Sequence, residues 1–324
     1  MSKAYRLHTT GGPEVLHWEE VEIGAPGPGE ARVRHEACGL NMVDVYYRTG
    51  LYHTPLPSGI GVEGAGIVEA VGAGVTHVKP GDRVAYAGGP LGAYSEVRLM
   101  PADRLCVLPE GISTEQGAAM MLKGMTVQYL VRQTYRVQPG DTVLFHAAAG
   151  GVGLIACRWL KALGAVVIGT AGSEEKCRLA REHGADYCIN YRSENFVERV
   201  KHITNGEGVP VVYDSVGRET FMDSLDCLRQ LGMMVTFGNA SGPVPPLDLS
   251  ILSAKGSLFI TRPSLFAYAA KRESLEKMAA ELFEMVLSGK VTIEIGRRYP
   301  LADAGQAHTD LVARKTTGAS ILLP

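Results

Sequence analysis

No stretch of the 324 residues stays apolar long enough to cross a bilayer: the nearest, Val143 to Leu160, is broken by His146, by Gly150, Gly151 and Gly153, and by Arg158. No membrane span is predicted. The opening MSKAYRLHTTGG has no apolar core of the kind a secretory signal needs, so the expected address is the reducing cytoplasm. Cysteine is sparse. Cys38, Cys106, Cys157, Cys177, Cys188 and Cys227 form no C-x-x-C pair and no Cys/His grouping with zinc spacing, which predicts separate reduced thiols rather than a disulfide framework or a metal lobe. Neither sign of charge is in excess: 32 Lys+Arg against 34 Asp+Glu leave a net of −2 with no basic stripe, which disfavours nucleic acid as a partner. What remains is an ordinary globular composition, and at about 150 residues per domain the length predicts two domains.

From Ala4 to about Leu122 short β-rich runs alternate with Gly/Pro punctuation, as in EARVRHEACG, GIGVEGAGIVEAVG and GDRVAYAGG. Val33, His35 and Ala37 alternate with Arg32, Arg34 and Glu36, the period of a half-buried strand. Beyond Glu115 the apolar residues of QGAAMMLKGMTVQYLVRQTY recur at helical spacing. Strand and helix then alternate regularly: TVLFHA before a glycine turn and helix, AVVIGTAG before SEEKCRLAREHG, DYCINY before SENFVERVKHITNG, VPVVYDSVG before RETFMDSLDCLRQLG, and MMVTFGNA. That order predicts a doubly wound parallel sheet. An apolar strand SLFITRPSL, a helix from about Arg272 to Leu287 and a short tail complete the chain.

In HAAAGGVG, Ala148, Gly150 and Gly153 form an A-x-G-x-x-G frame between a strand and a helix. Missing side chains there let backbone N–H groups and the positive helix end approach a pyrophosphate, with Gly150 and Gly151 at the close approach and Gly153 settling the helix on the sheet. About twenty residues on, where an acidic side chain would hold the ribose of NAD, stands Gly169-Thr170-Ala171-Gly172-Ser173. Small residues leave room for a 2′-phosphate, with Ser173 to donate a hydrogen bond and Lys176 to meet the charge, so the expected cofactor is NADPH.

The motifs NMVDVYYRTGLY, GVEGAGIV, LKGMTVQYL, HAAAGGVG, INY, VYDSVG, TFGN and ITRPSL together resemble the zinc-independent quinone oxidoreductases, zeta-crystallin-like members of the medium-chain dehydrogenase/reductase superfamily. The resemblance spans the chain. It implies an α/β architecture of a GroES-like β-rich catalytic domain (1–122), a Rossmann NADPH-binding domain (123–261) and a C-terminal segment completing the catalytic domain (262–324), with the cofactor between them. It also implies roles: Asn41, Tyr46 and Tyr52 at the nicotinamide and acceptor; Thr126 and Tyr129 along the cofactor channel; Gly151 and Val152 at the pyrophosphate; Gly172, Ser173, Lys176 and Tyr191 at the 2′-phosphate. Ser215, Phe237, Gly238 and Asn239 match a floor beneath adenosine and nicotinamide, Arg314 a basic residue closing over the phosphate, and Met42, Lys123 and Arg262 further neighbours of the cleft.

Where zinc-containing relatives place a Cys and a His, this chain has Asn41 and Val62 before a shared Glu63, neither of which replaces a zinc ligand. Without a Lewis acid an alcohol is hard to deprotonate, whereas an electron-poor quinone accepts hydride unaided. The resemblance therefore implies metal-free reduction of a quinone, with a homodimer formed along the SLFITRP edge. Two alternatives stay open: a reductase of enone or alkenal double bonds, and a non-enzymatic NADPH- or RNA-binding protein. His146 reads as a hydrogen-bonded strand-end residue, and Asp44 and Glu63 as acids that tie turns together.

Overall fold

The alternation at 30–40 is a strand in the computed structural model, which describes residues 2–324: Val33, His35 and Ala37 are buried while Arg34 is exposed and Arg32 and Glu36 are half-buried. The chain divides into two units, residues 1–125 with 269–287 and 293–324, and residues 126–268 with 288–292. Among the described residues no helix is long and apolar enough to cross a membrane.

The first unit contains β1 (Ser2–Leu7), β2 (Leu16–Val21), β3 (Glu30–Leu40), α1 (Met42–Arg48), β4 (Ser58–Gly59), β5 (Glu63–Val71), β6 (Arg83–Ala87), β7 (Val97–Pro101) and β8 (Cys106–Val107). α2 (Thr114–Tyr129) follows, and the unit boundary falls inside it. A small sheet runs β2-β1-β4, and a larger one pivots on β3, which pairs with β5 and β7. What reads in sequence as a short tail is two strands and a helix. The chain after α9 (Arg272–Leu287) forms β15 (Ile295–Pro300), α10 (Ala304–Val312) and β16 (Ala319–Leu323), and β16 pairs antiparallel with β3 through Ser320–Leu40 and Leu322–Cys38. β15 pairs parallel with β16, and neither strand alternates, β16 being buried on both faces and β15 largely exposed. Leu301, Ala304, Ala307 and Leu322 join Leu7, Val33, Ile60, Tyr94 and Met100 in one core.

The second unit contains β9 (Thr142–Phe145), α3 (Gly151–Ala162), β10 (Val166–Ala171), α4 (Glu174–Glu182), β11 (Tyr187–Asn190), α5 (Phe196–Ile203), β12 (Val209–Asp214), α6 (Phe221–Asp226), β13 (Leu228–Thr236), α7 (Ser250–Ala254), β14 (Phe259–Thr261) and α8 (Leu265–Tyr268). Its six strands are all parallel in the order β11-β10-β9-β12-β13-β14. That is the Rossmann order, whose direction of winding reverses between β9 and β12, so the loop after β9 opens at the carboxyl edge where nucleotides bind. The run VPVVYD is buried throughout, as a strand covered on both faces requires. Only Phe259–Thr261 of SLFITRPSL pairs as a strand, because Pro263 offers no N–H to extend the ladder.

On α3, Leu154, Ile155, Cys157, Trp159 and Leu160 are buried, and Trp159 is completely enclosed. Trp159→Ala is expected to cost about 3–5 kcal/mol through the cavity it leaves. Urea unfolding followed by circular dichroism measures this; an unchanged midpoint would show that α3 does not depend on that side chain.

Candidate active site

At the end of β9 the chain turns through His146, whose Nδ1 bonds the Thr170 hydroxyl at 2.9 Å and whose Nε2 bonds the Ser224 hydroxyl at 2.9 Å. Burial holds its pKa below the usual value, so the neutral ring serves as a strut between β10 and α6. Gly150 caps α3 in an extended conformation with no side chain over the first-turn N–H groups. A Cβ on Gly153 would lie 2.4 Å from the Ala147 carbonyl oxygen and 2.5 Å from that of Ala148, so helix and turn touch backbone to backbone. Bare N–H groups at a helix start, beside Gly151 and Val152, fit a pyrophosphate.

A second anion-suited corner forms at the end of β10. Ser173 caps α4, its hydroxyl oxygen accepting the Lys176 backbone N–H at 3.3 Å. A Cβ on Gly172 would stand 2.6 Å from the Tyr191 hydroxyl and 3.6 Å from Arg192 Nε. Gly172, Ser173, Tyr191 and Arg192 therefore converge, because β10 and β11 pair Ala171 with Asn190. Arg192 is a cation that sequence reasoning missed; its only signal is that it follows INY directly. The neighbouring acid Glu174 is engaged by Arg181.

The loops after β12 and β13 pack just as closely. Asp214 accepts from Val216 N at 2.6 Å, Gly217 N at 3.1 Å and the Thr220 hydroxyl at 2.7 Å, fixing the loop that carries Ser215. A Cβ on Gly238 would meet the Ser215 carbonyl oxygen at 2.4 Å. Arg262 Nη1 donates to Thr236 Oγ1 at 2.9 Å and to the Gly238 carbonyl at 3.0 Å, holding the segment of Phe237 and Asn239. Tyr129 stacks on Tyr268 with ring centroids 4.6 Å apart, and Thr126 lies buried one turn earlier.

In the first unit Asn41 caps α1 and shares a capping box with Asp44, its backbone N–H donating to Asp44 Oδ2 at 2.9 Å. Its side-chain Nδ2 donates to Glu63 Oε2 at 2.8 Å. Lys123 Nζ reaches the same oxygen at 2.8 Å, and the Leu122 backbone N–H, from within α2, meets Glu63 Oε1 at 2.7 Å. Gly39 makes this possible, since a Cβ there would lie 2.1 Å from Glu63 Oε2. Sequence reasoning did not find the Lys123–Glu63 link. Tyr46 and Tyr52 meet edge to face at 5.2 Å, joined by Tyr52 N donating to the Tyr46 carbonyl at 3.0 Å. Met42 opens α1, and Arg314 lies just past α10 with φ +58°.

These residues do not fit a catalytic zinc. Asn41 and Lys123 both turn hydrogens, not lone pairs, toward Glu63, and Val62 offers no donor atom. Behind Asn41, the Tyr94 hydroxyl donates to Asp44 Oδ2 at 2.8 Å and contacts His308 Nε2 at 3.1 Å. Burial pushes the Asp44 carboxyl up to about 7 and holds His308 down to about 3. Because the folded pKa of Asp44 exceeds the unfolded one, its contribution is full at low pH and is lost as pH rises through 7. The stability difference between wild type and Asp44→Asn should therefore shift by about 1 kcal/mol toward the variant between pH 6 and 8. Urea titrations at the two pH values test this, and a constant difference would refute it.

Residues 27–110 match the alcohol dehydrogenase GroES-like domain, and residues 151–284 match the zinc-binding dehydrogenase family. The chain is 57% identical to a quinone oxidoreductase of Pseudomonas aeruginosa, with 100% of both chains covered. It is 46% identical to a 2-haloacrylate reductase of a Burkholderia species, covering 100% of this chain and 99% of the relative. The solved structure of Escherichia coli quinone oxidoreductase complexed with NADPH superposes with a TM-score of 0.98 at 52% identity, covering 99% of this chain and 100% of that one. Full-length identity at this level, on a GroES-like unit and a Rossmann sheet, shows that the chain belongs to the quinone oxidoreductase family of the medium-chain dehydrogenase/reductase superfamily.

Proposed function

We propose that the protein is an NADPH:quinone oxidoreductase, transferring a hydride from the nicotinamide to a quinone without a metal. The observation that carries this reading is the presence in one chain of a glycine turn fitted to pyrophosphate and a Glu63 already engaged by Asn41 and Lys123. When bound, NADPH supplies the hydride. Gly150, Gly151 and Val152 would hold the pyrophosphate, with Thr126, Tyr129, Ser215, Phe237, Gly238 and Asn239 along the rest of the nucleotide. Gly172, Ser173, Lys176 and Tyr191, with Arg192, would hold the 2′-phosphate through charge-assisted hydrogen bonds. Asn41, Tyr46 and Tyr52 would shape the acceptor site, the edge-to-face rings giving it an aromatic corner for a planar electrophile. The residues act chiefly by positioning and by excluding water.

A second reading, reduction of a conjugated carbon–carbon double bond, is favoured by the 2-haloacrylate reductase relative. The same proposal places the protein in the cytoplasm, where its six free thiols stay reduced. It also makes the protein a homodimer joined along β14, an edge strand of three residues whose Phe259 is 55% exposed.

NADPH consumption with a panel of quinones, 2-haloacrylate and enones, with products quantified, should show fastest turnover with quinones; faster turnover of the alkenes would select the second reading. Lys176→Ala should reduce the preference for NADPH over NADH about tenfold, the worth of one charge-assisted hydrogen bond. An unaltered preference in steady-state kinetics would remove Lys176 from the phosphate site. Sedimentation equilibrium at micromolar concentration should return twice the chain mass.

A further inference from the structure

We propose that Lys123 is the electrophilic group of this enzyme, donating a hydrogen bond to the acceptor oxygen as negative charge builds on it. The assignment rests on the quinone reading above and adds the residue that performs the stabilisation.

Lys123 lies on α2 with only 6% of its side chain exposed. An ammonium carries three N–H donors. One meets Glu63 Oε2 at 2.8 Å, and among the described residues no further acceptor is bonded to it. Glu63 has little left to offer: Oε2 is shared with Asn41 Nδ2, and Oε1 is taken by the Leu122 backbone N–H. The Leu122 contact fixes α2 against the start of β5, so Nζ is held in place rather than left to swing. A desolvated ammonium with spare donors is costly unless a further acceptor completes its shell. A ligand oxygen would do so, and Asn41, bonded to the same carboxylate oxygen, puts the cation beside the residue expected at the acceptor.

The chemistry balances without metal. Hydride carries its electron pair from NADPH to the quinone, leaving NADP+ and a hydroquinone monoanion. Lys123 bonds the charged oxygen and keeps its own proton. A proton from water then completes the hydroquinone. A fixed donor aimed at developing charge inside a water-poor site typically contributes 10²–10³ in rate.

Two measurements test this. In turnover, Lys123→Met should lower kcat about 100-fold for a given quinone and leave NADPH affinity unchanged. The deficit should shrink across a series of increasingly electron-poor quinones, whose oxygens need less help; a merely structural role predicts a uniform deficit. Because a lone Glu63 charge could prevent folding, the same comparison is made with Lys123→Met/Glu63→Gln, which removes both charges together. Without cofactor or turnover, 4-nitrophenol serves as an absorbance probe of a phenolate oxygen. Its bound form should titrate about one unit or more lower in the wild type than in either variant, with Lys123→Arg retaining the shift. Equal titration in wild type and variants, or no binding to the wild type, overturns the assignment of Lys123. A wild type that shifts the phenol but consumes no NADPH with any quinone instead overturns the substrate reading and leaves the oxyanion site standing.

Discussion

The Glu63 carboxylate is the constraint on which the first unit's chemistry depends. It stands at the start of β5, with no exposed surface, and accepts three hydrogen bonds: from the cap of α1, from an α2 backbone N–H and from an α2 ammonium. A buried carboxylate with fewer partners would be destabilising by several kcal/mol. The surrounding sequence answers to this need. Gly39 gives up its side chain so that β3 can pass the carboxylate, and Asn41 supplies both a helix cap and a side-chain donor. A Cys at position 41 would have a thiol in place of this amide donor, so the change that removes a metal ligand also satisfies the acid that remains.

The second unit depends on a different feature, close approach of backbone to backbone. Gly153 presses the start of α3 onto the turn, and Gly238 presses one loop onto the carbonyl of Ser215. The open N–H groups of α3 then point out of the sheet at the place where its winding reverses. His146 and Asp214, both buried and both titratable, are used up in holding these loops, which is why neither is available as a proton carrier.

Much of this was legible in the residues. The runs VVIGTA and VPVVYD predicted covered parallel strands, and the frame in HAAAGGVG predicted the turn, because both depend on neighbours within a few residues. The absence of a carboxylate at the end of β10, in Gly169-Thr170-Ala171-Gly172, was equally local. The strand limits of SLFITRPSL and the two C-terminal strands were not legible, since β15 is mostly exposed and β16 buried on both faces, so neither alternates, and pairing is settled only in the folded sheet.

Sequence by itself determined the alternating βα plan, the glycine turn, the missing zinc ligands and, Arg192 apart, the residues proposed to meet a phosphate. Tertiary structure alone decided which of them meet. Arg192 reaches Gly172 only because β11 lies beside β10, and Lys123 reaches Glu63 across a separation of 60 residues. The physical reason is the range of the forces: backbone conformation and hydrophobic period are set locally, whereas a charge finds its partner only after folding has excluded the water that would otherwise solvate it.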